Sequence, residues 1–129
     1  MVRVLGVVLL LATTAPGSCS GKTESGDDDT KPSPVAQCQT YASTWCNKAF
    51  GCYVEVGRLD EGSRQTNVDQ CVQLITDKLP CSGVTSVSSD YDTCISQIKG
   101  MACSKWNVPS TQFGTITPPA SCDNALSFE

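Results

Sequence analysis

Nine cysteines and no histidine set the chemistry open to this chain of 129 residues. A thiolate can be a nucleophile or a metal ligand, and an oxidised thiol half of a disulfide; spacing separates these roles. Cys38, Cys46, Cys52, Cys71, Cys81, Cys94, Cys103 and Cys122 follow one another at intervals of 8, 6, 19, 10, 13, 9 and 19 residues. Structural zinc sites use close pairs of the C-x2-C kind, and thiol oxidoreductases use C-x-x-C. Neither occurs here, so the spacing predicts structural disulfides, with no metal and no cofactor. Eight cysteines allow about 105 connectivities, which sequence alone leaves open. Geometry removes one pairing: on a single helix Cys38 and Cys46 stand about 12 Å apart, too far to bond each other. They are expected to tie the first helix to two different segments.

Carboxylates are the other reactive groups. Asp27-Asp28-Asp29 lacks the alternating ligands, the turn glycine and the distant glutamate of a calcium loop, and reads as a solvated charge run. Asp60-Glu61 and the pair Asp90 and Asp92 could in principle supply an acid and a base, as in glycoside hydrolysis. The first pair falls in a charged loop, and the second at a predicted helix start, where acids favour the helix dipole without any catalytic role. The serines have no histidine to act as base, and Lys48, Lys78, Lys99 and Lys105 are expected to face solvent. No catalytic residue is assigned, and the chain is not expected to be an enzyme. Thirteen acidic against nine basic residues give a net charge of −4. Without a basic stripe to displace counterions from phosphates, nucleic acid is excluded as a partner.

Cys19 stands apart from the other eight. Met1 to Arg3 form a short positive region, Val4 to Ala12 an apolar run and the residues after it are small, which is the layout of a secretory signal peptide over residues 1–18. A run of that length falls short of the roughly 20 residues needed to span a bilayer. The stretch "GSCSG" resembles a bacterial lipoprotein leader, with small Gly17 and Ser18 before an acylated cysteine and Pro16 where that family has an aliphatic residue. Lipid on Cys19 leaves an even number of cysteines for disulfides, and the resemblance implies two or three acyl chains, enough for stable anchoring. The alternative is cleavage after Gly17, giving a soluble secreted ligand, inhibitor or effector. Residues 19–36 are rich in Ser, Gly, Asp and Pro, too polar to form a core, and read as a flexible tether stiffened at Pro32 and Pro34.

Residues 37–129 have to position the cysteines. Cys38, Tyr41, Ala42, Trp45, Cys46, Ala49 and Phe50 lie on one face of a helix, which Gly51 is placed to end. Val68, Cys71, Val72, Ile75 and Leu79 form a second stripe, capped by Thr66 or Asn67 and stopped by Pro80. Tyr91, Cys94, Ile95, Ile98 and Ala102 form a third, capped by Ser88 or Ser89, with Gly100 ending or weakening its last turn. After Cys103 the periodicity dissolves into an irregular segment anchored by Trp106, Phe113 and Ile116 and stapled by Cys122. Strand-like alternation is confined to the neighbourhood of Thr115. The fold class is all-α: a small disulfide-stapled bundle of about three helices with an irregular C-terminal segment. Trp106, outside any stripe, is the aromatic residue to watch for a contact surface.

Over the whole chain, "GSCSG", the acidic tether, "CQTYASTWCNKAFGC" and "YDTCISQIKGMAC" resemble the small cysteine-rich lipoproteins of myxobacteria and related soil bacteria. The resemblance implies an exported protein anchored to the cell envelope by its N-terminal lipid, at the outer membrane or cell surface. It implies no activity or substrate. The expected function is a non-enzymatic binding or structural module, with any protein partner unknown.

Overall fold

The computed structural model describes residues 31–129; the leader, Cys19 and the tether as far as residue 30 lie outside the described residues. Three helices carry the domain: α1 (Pro34–Glu55), α2 (Glu61–Lys78) and α3 (Tyr91–Gly100). Short 3-10 turns at Cys81–Gly83, Cys103–Trp106, Ser110–Thr115 and Ala120–Cys122 make up much of the rest. The all-α reading holds, as a bundle stapled by four disulfides with an irregular C-terminal third.

Helix α1 begins three residues before the expected domain boundary. Ser33 caps it, its Oγ accepting from the Ala36 N–H at 3.2 Å, and Pro34 takes the first helical position. Proline suits that position because its missing N–H would have no partner there. Pro34 is thus the start of a helix and not part of an extended tether.

Gly51 does not end α1, which runs on to Glu55. The stop is Gly57, at φ 73°, with Gly57 N–H donating to Val54 O and Arg58 N–H to Tyr53 O. This pair of bonds satisfies the last carbonyls of a helix and requires a left-handed residue, which glycine adopts without steric cost.

Helix α2 starts at Asp60-Glu61, well before the expected cap at Thr66 or Asn67. Its first turns carry no apolar residue before Val68, so they show no stripe, but Glu61 favours the helix dipole and pairs with Arg64 at 3.5 Å. In α3 the cap position belongs to Asp90; Ser88, one of the expected caps, contributes by accepting from the Asp90 N–H at 3.2 Å.

A two-stranded antiparallel ladder was not expected. β1 (Val84–Val87) pairs with β2 (Leu126–Phe128) in the register Val84 to Phe128, Ser86 to Ser127 and Val87 to Leu126, with an irregularity between Val84 and Ser86. The neighbourhood of Thr115, where alternation suggested a strand, is a 3-10 turn instead.

The core gathers where the apolar face of α1 meets α3 and the C-terminal segment. Trp45, Phe50, Val68, Tyr91, Ile98, Met101, Trp106 and Phe113 are buried together in it. Trp106 meets Trp45 edge to face at 4.7 Å between ring centroids and Phe113 at 6.0 Å, the geometry aromatic quadrupoles favour. Ile116 is half-buried against the same cluster.

Candidate functional site

The cysteines come together in four pairs: Cys38 with Cys81, Cys46 with Cys71, Cys52 with Cys103, and Cys94 with Cys122. Three bridges leave α1, from Cys38, Cys46 and Cys52, and each reaches a different segment, as the distance between Cys38 and Cys46 requires. The arrangement follows from helical geometry: the apolar face of α1 carries the three thiols into the core, and partners from α2 and two 3-10 turns are folded against them. In each of the pairs Cys46–Cys71, Cys52–Cys103 and Cys94–Cys122 one cysteine is buried and the other half-buried. With all eight cysteines from Cys38 to Cys122 oxidised, no thiolate among the described residues remains to act as nucleophile or ligand. No group of three or more His, Cys, Asp and Glu among the described residues is placed to hold a metal ion.

The carboxylates do not converge either. Asp60 and Glu61 are exposed at the start of α2, while Asp90 and Asp92 are exposed at the start of α3. Each pair sits where a helix N-terminus favours negative charge.

Two open recesses flank α1. One, of about 730 Å³, lies between α1 and the end of α2, with Thr40, Ser43, Thr76 and Pro80 among its lining. Three of its hydroxyls already donate to backbone carbonyls: Thr40 to Ala36 O at 3.0 Å, Ser43 to Thr40 O at 3.0 Å and Thr76 to Val72 O at 2.9 Å. The other, of about 310 Å³, is lined by Ser43, Thr44, Asn47, Lys48 and Lys99. Lys48 is half-buried there and not fully solvent-facing, and Lys99 lies in the last turn of α3, where a cation favours the dipole. Lys78 and Lys105 are exposed, as expected.

Trp106 is an apolar anchor expected of the C-terminal segment, and its burial corrects the other reading of it, as a contact surface. It has 0% exposure and is the largest fully buried side chain among the described residues, so it is a core residue and not a contact surface. The 3-10 turn Cys103–Trp106 delivers it to the core from a segment without periodicity. Its indole N–H is a buried polar group without a partner in the described structure.

The tyrosines that line the helical face are bonded or packed. Tyr53 OH donates to Val108 O, fastening the end of α1 to the C-terminal segment. Tyr41 stacks on Trp45 at 6.4 Å. Burial pushes the Tyr41 phenol above its ordinary value, and the nearby charge of Asp123 adds to the effect.

No helix among the described residues is long and apolar enough to cross a membrane. Compared with protein-family models, curated proteins and solved structures, the chain matches none.

Proposed function

We propose that this chain is an exported protein held at the cell envelope by lipid on Cys19, with its stapled helical domain acting as a non-enzymatic binding or structural module. One observation carries the reading. The four bridges use every cysteine from Cys38 to Cys122, so Cys19 is the ninth cysteine of a chain whose other eight are mutually paired. Disulfides in that number belong to an oxidising compartment, such as the periplasm or the cell exterior. An unpaired cysteine at the mature N-terminus of such a protein is chemically suited to thioether linkage with lipid.

The non-enzymatic part is supported by the separation of the carboxylate pairs onto the starts of two helices and by the commitment of the Thr40, Ser43 and Thr76 hydroxyls to backbone carbonyls. The expected partner is the membrane, through lipid, and not nucleic acid. Intact mass of the mature protein from its native host, before and after reduction and alkylation, tests the reading. A chain beginning at Cys19, carrying acyl mass and gaining eight alkylated thiols only on reduction, is the expected result. A chain beginning at Ser18 without lipid would overturn the anchor and leave a soluble secreted ligand, inhibitor or effector.

A further inference from the structure

We propose that the Glu55 carboxylate guards the Cys52–Cys103 disulfide against thiol reductants. Glu55 closes α1, and its Oε2 lies 3.3 Å from Cys103 Sγ. A bridged sulfur has no proton to donate, so this is a carboxylate held beside a disulfide sulfur and not a hydrogen bond. Cys52 is 3% exposed as a residue, whereas Cys103 is only partly buried, which makes Cys103 the more accessible end of the bridge. Among the described residues the ion pair that forms is Glu61 with Arg64, and no described cation lies within ion-pair distance of the Glu55 carboxylate.

The reacting species in disulfide exchange is a thiolate, and rates depend on which sulfur it can reach and what leaves. In the open route a dithiothreitol thiolate bonds to Cys103 Sγ, the S–S bond breaks, and its electron pair leaves on Cys52 Sγ, which takes a proton from solvent. The reagent's second thiol loses its proton to solvent and displaces Cys103 as a thiolate, closing the oxidised ring of the reagent. Glu55 opposes both steps, first by repelling the incoming thiolate and then by facing the departing one. Attack at Cys52 is obstructed by burial and would also expel a Cys103 thiolate beside the carboxylate. The half-exposed ends of two other bridges, Cys71 and Cys122, have no comparable carboxylate contact among the described residues, and serve as internal controls.

The test is timed reduction of the oxidised, exported full-length protein by dithiothreitol at low salt, with released cysteines alkylated and located by mass spectrometry. Glu55→Gln is expected to open Cys52–Cys103 about fivefold faster, the factor for two unit charges about 4 Å apart in water. The other three bridges should keep their rates, and the gap should narrow at high salt. A neutral phosphine, tris(hydroxypropyl)phosphine, should open the bridge equally fast in both proteins. An unchanged rate with dithiothreitol would overturn the proposal. So would equal acceleration with the phosphine, which would make Glu55 a packing residue and not an electrostatic guard.

Discussion

The Tyr91 hydroxyl donates to the backbone carbonyl of Gln37 at 2.6 Å, joining the first turn of α3 to the first turn of α1 across 54 residues of chain. Both residues are buried, so the bond lies in a medium where an unmade partner is costly. The Gln37 carbonyl keeps its own helical acceptor role when the hydroxyl is removed, which limits the loss. Tyr91→Phe should lower stability by about 1 kcal/mol, read as a shift in the denaturant midpoint at constant slope.

The same residue predicts an alkaline limit. Burial raises the Tyr91 phenol above its ordinary 10.0; a hydroxyl neighbour, Thr40, pulls it back and the charge of Asp92 pushes it further up. Tyr41 is raised as well, chiefly by burial. An unfolded chain releases these protons first, so folded and unfolded states differ in bound protons above pH 10.0. Stability is then fully present below that pH and falls as pH rises through the higher folded values. Tyr41→Phe and Tyr91→Phe should each flatten the decline, as measured by denaturant midpoints from neutral to alkaline pH.

Two glycines near the C-terminal end of α1 call for opposite outcomes. Gly51 lies inside the helix, and a methyl group there would meet the Arg64 guanidinium at an ordinary 3.5 Å. Gly51→Ala should therefore stabilise the domain by about 0.5 to 1 kcal/mol. Gly57 sits at φ 73° with open space around it, so strain alone acts, and Gly57→Ala should cost about 1 to 2 kcal/mol. Thermal melts of the two variants should move in opposite directions.

Trp106 offers a test of its unpartnered indole. Trp106→Ala empties the middle of the aromatic cluster and should cost about 3 to 5 kcal/mol. Trp106→Phe loses less volume and also removes a buried N–H whose desolvation costs about 1 to 3 kcal/mol. Its penalty should be far smaller than that of alanine, by chemical denaturation. Equal penalties would overturn this account of the site.

Loop length ranks two of the bridges. Cys52–Cys103 closes a separation of 51 residues and Cys46–Cys71 one of 25. Chain entropy assigns them about 4 and 3.5 kcal/mol respectively. Paired alanine replacement should therefore cost slightly more at Cys52 and Cys103, and because the entropic difference is small, a gap of several kcal/mol in denaturation would point to packing around Trp106.

The sequence exposed those parts of the fold that rest on periodic burial. Helices α1 and α3 were legible because Cys38 to Phe50 and Tyr91 to Ile98 repeat their apolar residues with the helical period. The start of α2 was not, since Glu61 to Asn67 bury nothing and leave no stripe; Asp60-Glu61 followed by Arg64 was the available signal. The ladder escaped notice because Val84 to Val87 is too short to show alternation and its partner lies some 40 residues away, at Leu126 to Phe128. Disulfide pairing was illegible for the same non-local reason, apart from the separation of Cys38 and Cys46. Gly51 misled because a helix stop is decided by which residue can adopt a left-handed conformation at the right place, and Gly57 does so.

The bridges also decide what a peptidase can do to this domain. The spans 38–81, 52–103 and 94–122 overlap, so every peptide bond between Cys38 and Cys122 lies within at least one covalently closed loop. A single cut in the turn around Gly57, or anywhere else in that interval, leaves the two halves joined and the core residues in register. Shedding a fragment requires a second cut or a reductant, so the domain can be nicked without coming apart.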